Sequence, residues 1–185
     1  MIQEFKKKAN EKMNQALEVF KKDLSTFRTG RASLGILDNI KVEYYGSTVP
    51  LNQVATLGIP EPRMITIQPW EQKMISEIER AIMKSDLGLT PINDGKMIKI
   101  VIPPLTEERR KQLVKVVRKR TEEARVAIRN IRRDIIEEIK KAEKEKKLSE
   151  DESRRIQEEI QKITNSFIEK IDHALEQKEK EIMEV

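Results

Sequence analysis

Residues 106–144 read TEERRKQLVKVVRKRTEEARVAIRNIRRDIIEEIKKAEK, without a glycine or a proline. Leu113, Val117, Thr121, Ala124, Ile128, Ile131, Ile135, Ile139 and Ala142 recur at steps of three and four, the spacing of one helical face. Thr106 follows Pro103 and Pro104 and is suited to cap the helix, while Glu107 and Glu108 suit the positive end of its dipole. The next break falls in LSEDESRR (148–155), where Ser149 and Glu152 make an S-x-x-E capping box. A helix of roughly 42 residues is about 60 Å long. It gains most of its stability from burying its stripe, so it needs partners.

Two further stretches offer them. Ile2, Phe5, Ala9, Met13, Ala16, Phe20, Leu24 and Phe27 share one helical face before residue 30. Ile156, Ile160, Ile163, Phe167, Ile171, Ala174 and Ile182 do so after residue 149. Three stripes in one chain suffice for an intramolecular, long antiparallel three-helix bundle, left-handed because the apolar spacing averages about 3.5. An intermolecular coiled coil is the competing solution; a monomer is expected.

The six glycines all lie between Gly30 and Gly95, and the seven prolines between Pro50 and Pro104. Residues 1–29 and 106–185 therefore form a discontinuous bundle domain, and residues 31–104 an inserted small α+β, β-rich domain. NIKVEYYG (39–46), RMITIQP (63–69) and KMIKIVIP (96–103) read as strands, and Asp94-Gly95 as a hairpin turn. KMISEIERAIMKSDLG (73–88) reads as a helix ending at Gly88 in the C′ position. Trp70 is expected to be partly buried against that helix. The chain crosses between domains twice, near 30–31 and 103–105, so Gly30, Arg31, Pro103 and Pro104 are the expected hinge.

Charged residues make up 37% of the 185, above the roughly 25% of ordinary domains, and the net charge is +5. Absence of cysteine excludes disulfides, thiolate catalysis and cysteine-ligated metals. No apolar run approaches the ~20 residues of a membrane span, and MIQEFKKKAN has no signal-peptide core, so a cytoplasmic protein without membrane partners is expected. His173 is the only histidine, and nothing completes a metal site around it. No phosphate-binding glycine motif and no nucleophile–base pair is present, so neither a cofactor nor an enzyme activity is proposed.

Charge is distributed unevenly. Residues 106–148 carry sixteen basic and nine acidic side chains; residues 149–185 carry six and eleven; the insert carries eight of each. Lys111, Arg118, Arg125, Arg129 and Arg132 align at about 100° per residue, with Arg133 and Lys140 beside them. Only Glu122 intrudes closely, so the strip is expected to stay largely unpaired. Arginine's planar fork grips phosphate bidentately, which points to a nucleic-acid backbone, and a straight helix suits the shape of structured RNA. A helical adaptor for a protein partner is the alternative reading.

RTGRASLGILDNIKVEYYGSTVPL (28–51) and PPLTEERRKQLVKVVRKRTEEARVAIRNIRRD (103–134) resemble the ribosome recycling factor family, and the resemblance extends over essentially the whole chain. Many members carry proline after RTGRAS, where this chain has Leu34. The resemblance implies a two-domain L shape somewhat like transfer RNA. It implies binding to the intersubunit face of the post-termination ribosome through large-subunit ribosomal RNA. It further implies subunit dissociation with elongation factor G and GTP, releasing mRNA and tRNA, with no hydrolysis by the factor itself. Arg129 and Arg132 are the strongest carried-over RNA contacts, and Arg28 and Arg31 match the family's basic pair at the hinge.

Overall fold

A computed structural model describes residues 1–184 and divides into two compact units, Met1–Arg28 with Glu107–Glu184, and Thr29–Thr106. The first unit contains three helices, α1 (Ile2–Ser25), α3 (Glu107–Lys144) and α4 (Glu150–Met183), each packed on the other two. Their inward faces are Ala9, Met13, Leu17, Phe20 and Leu24 on α1; Leu113, Val117, Ile128, Ile135, Ile139 and Ala142 on α3; and Ile156, Ile160, Phe167, Ile171 and Ile182 on α4. Leu17 is buried where the stripe implied Ala16, and Ile2 at the helix start is exposed. Ala124, Ile131, Ile163 and Ala174 are only half-buried. Thr121 and Thr164 are buried although polar, because each hydroxyl donates to the carbonyl four residues back, Val117 at 2.7 Å and Ile160 at 2.8 Å.

The reversal from α3 to α4 is built from backbone chemistry. The Lys147 amide donates to the Ala142 carbonyl and the Lys146 amide to that of Glu143, the paired bonds of a Schellman ending. Lys146 takes φ +59 at the position glycine usually fills. Leu148 is buried, and the capping box is complete: Ser149 Oγ accepts from the Glu152 amide at 3.1 Å, and Glu152 Oε2 accepts from the Ser149 amide at 2.9 Å. That backbone bond holds the Glu152 carboxyl below the usual carboxylate range.

The second unit contains β1 (Lys41–Tyr44), β2 (Ser47–Pro50), β3 (Ala55–Glu61), β4 (Met64–Pro69), α2 (Ile75–Lys84), β5 (Pro91–Asn93) and β6 (Ile98–Val101). β1 and β2 form a hairpin; the others form an antiparallel sheet in the order β3-β4-β6-β5. Alternation puts Ile65, Ile67, Ile98 and Ile100 inward with Val42 and Leu51, and Ile75, Ile78 and Ile82 of α2 join that core. Asp94 and Gly95 turn the β5–β6 hairpin: Asp94 Oδ1 accepts from the Met97 and Lys96 amides, which holds its carboxyl low.

Three expectations for the insert are corrected. β2, β3 and β5 were not anticipated, because prolines 50, 60, 62 and 91 interrupt the alternation; β3 and β5 are edge strands, where a missing amide is tolerated. The strand read from 39–46 stops at Tyr44, because Tyr45 and Gly46 form the turn into β2. α2 ends at Lys84, where the Ser85 hydroxyl donates to the Ile82 carbonyl; Gly88, at φ +64, lies beyond the cap and is not the C′ residue.

Two substitutions at the α3–α4 reversal are expected to act in opposite directions. Ser149→Ala removes the cap and is expected to cost about 1 kcal/mol. Lys146→Gly relieves the left-handed backbone and is expected to add about 1 kcal/mol. Urea denaturation of each variant measures both; a stabilising Ser149→Ala would show that the cap is not formed.

Candidate nucleic-acid interface

α3 and α4 run antiparallel, so a side chain seven residues further along α3 meets one seven residues earlier on α4. Arg118 Nε lies 2.6 Å from Glu179 Oε1, and Arg125 Nη2 lies 2.7 Å from Asp172 Oδ1. One further step of seven along the same register leads from Arg125 to Arg132 and from Asp172 to Asn165. A neutral carboxamide stands there, and its oxygen accepts from Gln161. The ladder thus has two acidic rungs and then a neutral one.

Glu122 bridges the strip from within α3, at 2.9 Å from Arg125 Nη1 and 3.3 Å from Arg129 Nη1. These bonds, the Arg125 one foremost, hold the Glu122 carboxyl below the usual range. Burial works against charge on Arg125, but its bonds to Asp172 and Glu122 prevail and its pKa is raised. The Glu179 hydrogen bond raises that of Arg118 likewise. Lys111 pairs with Glu107 one turn away at 3.3 Å.

The sequence therefore understated the pairing. Lys111, Arg118, Arg125 and Arg129 each have a carboxylate partner, two of them supplied by α4, whose acidic face meets α3 only after folding. The four are not equivalent. Arg125 is tied to two helices and its side chain is 23% exposed, so it staples the bundle. Arg129 keeps 51% exposure against an equally open Glu122. Exposed pairs of this kind are worth about 0.2–1 kcal/mol, small enough for a phosphate to replace the carboxylate. Among the described residues, neither half-buried Arg132 nor exposed Arg133 has a carboxylate partner. Arg28 and Arg31 are exposed and engaged in contacts of their own.

The Nε of Arg110, one turn into α3, is buried with no hydrogen-bond partner. Sequence reasoning passed over it, because nothing in the apolar pattern distinguishes a half-buried arginine from its exposed neighbours. His173 is exposed on α4, beside Lys21, Ser166, Glu169 and Lys170 in an open groove of about 380 Å³. Among the described residues, no group of His, Cys, Asp and Glu side chains could hold a metal ion, and no helix is long and apolar enough to cross a membrane. Trp70, expected to be partly buried, is instead 63% exposed, and its Nε1 donates to Thr56 Oγ1 at 2.8 Å.

Comparison with known proteins places this geometry in context. The family model described as ribosome recycling factor matches residues 20–183. The ribosome-recycling factor of Symbiobacterium thermophilum is 57% identical over the full length of both chains. That of Carboxydothermus hydrogenoformans is 54% identical, again over both full lengths. A solution structure of the ribosome recycling factor superposes with TM-score 0.77 at 44% identity, covering 100% of this chain and 98% of the other. A second structure has TM-score 0.66 at 51% identity, with full coverage of both chains. It belongs to a set of models for the T. thermophilus ribosome recycling factor and the E. coli elongation factor G bound to the E. coli post-termination complex.

Asn165→Asp is expected to complete the third rung and stabilise the bundle by about 0.2–1 kcal/mol at low ionic strength, with the gain shrinking in high salt. Thermal melts at two salt concentrations check this. A destabilised variant would mean that the ladder does not extend to Arg132.

Proposed function

The chain belongs to the ribosome recycling factor family, and on that premise we propose that it acts in the cytoplasm on the post-termination ribosome. As a monomer it binds the intersubunit face through large-subunit ribosomal RNA. With elongation factor G and GTP it promotes dissociation of the subunits and release of mRNA and tRNA. It hydrolyses nothing itself and uses no cofactor.

The observation that carries the reading is the incomplete neutralisation of α3. Arg129, Arg132 and Arg133 sit within one helical turn or so of each other, and only Arg129 faces a carboxylate, an exposed one. A stiff helix fixes their spacing, so little conformational freedom is lost when they meet a phosphate backbone. Each phosphate they neutralise releases condensed counterions, which drives binding and makes it salt-sensitive. Arg118, Arg125 and Lys111 contribute to the same field, with Arg125 committed chiefly to the bundle. Arg28 and Arg31 add a basic pair near the first crossing between units. Gly30, Arg31, Pro103 and Pro104 form the proposed hinge. Gly30 has φ +78, a conformation that side-chain-bearing residues resist.

The double variant Arg129→Ala/Arg132→Ala is expected to weaken cosedimentation with large subunits and to reduce the log–log salt slope by up to about two, roughly one for each phosphate no longer neutralised. Helicity and the melting midpoint are expected to stay near wild type, because the apolar seam is untouched. Undiminished binding by the folded variant would remove the proposal. Arg125→Ala, by contrast, is expected to lower stability as well.

A further inference from the structure

We propose that Glu122 is a specificity-determining residue of the RNA-binding strip. Its carboxylate bars a phosphate backbone from lying along the whole of α3 and confines RNA to the part that holds Arg129, Arg132 and Arg133. The inference rests on the recycling-factor reading and adds to it how one kind of RNA is preferred over others.

A bare row of cations discriminates poorly. Lys111, Arg118, Arg125, Arg129 and Arg132 span about 30 Å of one helix at 1.5 Å per residue. Attraction to phosphates carries no sequence information, so a strip left open from end to end would hold any strand draped along it. Over most of its length the fold sets a carboxylate beside each cation. Glu107 stands by Lys111, Glu179 by Arg118, and Asp172 together with Glu122 by Arg125. Beyond Arg129 the series stops, because Arg132 and Arg133 have no carboxylate partner among the described residues.

Glu122 stands at the boundary. It lies three residues before Arg125 and seven before Arg129, so the three share a helix face. Its Oε2 accepts from Arg125 Nη1 at 2.9 Å, and its Oε1 from Arg129 Nη1 at 3.3 Å. Asp172 holds Arg125 independently, at 2.7 Å from Nη2 and 2.8 Å from Nε. A second carboxylate is therefore not needed to tie Arg125 to the bundle. The bond to Arg129 lies within α3 and joins nothing to α4. What remains is a charge that is 54% exposed in the middle of a cationic strip.

That charge sorts the strip into two ends. Among the described residues Arg129 is bonded through Nη1 alone, so its Nε and Nη2 stay open to a phosphate while Glu122 remains in place. A phosphate over Arg132 is about 15 Å further along the helix than Glu122, beyond the roughly 8 Å screening length of physiological salt. A phosphate near Arg125 meets the carboxylate at close range. It can displace Glu122 at little cost to the fold, but the exchange cancels most of what the phosphate gains. Folded RNA that sets its phosphates against Arg129, Arg132 and Arg133 avoids this loss, and a flexible strand laid along the strip does not.

The test measures binding of the whole chain to large ribosomal subunits and to poly(U) over a salt series, for wild type, Glu122→Gln and Glu122→Asp. Glu122→Gln removes the charge at constant size and leaves Arg125 on Asp172. With an exposed side chain at 122, both variants are expected to fold as wild type does. Glu122→Gln is expected to bind poly(U) about fivefold more tightly, with a log–log salt slope steeper by about 0.7 for the one phosphate gained. Its preference for large subunits over poly(U) is expected to fall at least about threefold. Glu122→Asp keeps a carboxylate and is expected to retain most of the preference. Equal tightening on both RNAs overturns the inference, since the carboxylate would then compete without selecting. Unchanged or weaker binding to poly(U) overturns it too, as does an equal loss of preference in Glu122→Asp. Wild-type chain with no preference for large subunits counts against the recycling reading alone, because the poly(U) arm contains no ribosome and still judges Glu122.

Discussion

The bundle depends on the apolar seam between α3 and α4. Ile128, Ile135 and Ile139 on one helix, and Ile156, Ile160 and Ile171 on the other, are fully buried. Burying one such side chain is worth about 1.5–3 kcal/mol, whereas each exposed ion pair across the same two helices is worth at most about 1. The seam therefore fixes the register, and the charged ladder follows from it. That order of magnitude leaves the guanidinium groups of α3 available for another polyanion: exchanging a surface carboxylate for a phosphate costs the fold little, and the isoleucines keep the helix where it is.

Sequence and tertiary structure partition the basic strip between them. Along α3 the arginines look alike, differing only in helical angle. Once the bundle is packed they become three kinds: Arg118 and Arg125 bonded to carboxylates of α4, Arg129 on a shared and exposed carboxylate of α3, and Arg132 with no carboxylate partner among the described residues. The distinction has a physical consequence. A residue tied across helices serves stability, while one without a carboxylate partner carries its charge undiminished to whatever approaches.

The insert follows a different logic. Its core is supplied by alternating isoleucines on β4 and β6 and by the inward face of α2. Around that core, the strained turn carries an exposed Tyr45 ring whose hydroxyl is bonded to Glu71 and Lys73. Local preferences and the observed residues agree over most of the unit and part company at Tyr45, which is where a role beyond stability is to be sought.

The three long helices, the capping box at Ser149, the Asp94-Gly95 hairpin and the basic character of α3 were legible in the sequence, because each is written in short-range spacing: steps of three and four, alternation, and turn residues. The strands β2, β3 and β5 were not, since prolines erase the alternation and edge strands are defined by their neighbours. Nor was the turn at Tyr45-Gly46, where a tyrosine occupies a position that ordinarily announces itself with asparagine. Which arginines are spent and which remain was decided only in three dimensions. Asp172 and Glu179 lie 47 and 61 residues from the arginines they bind, and only antiparallel packing brings them together.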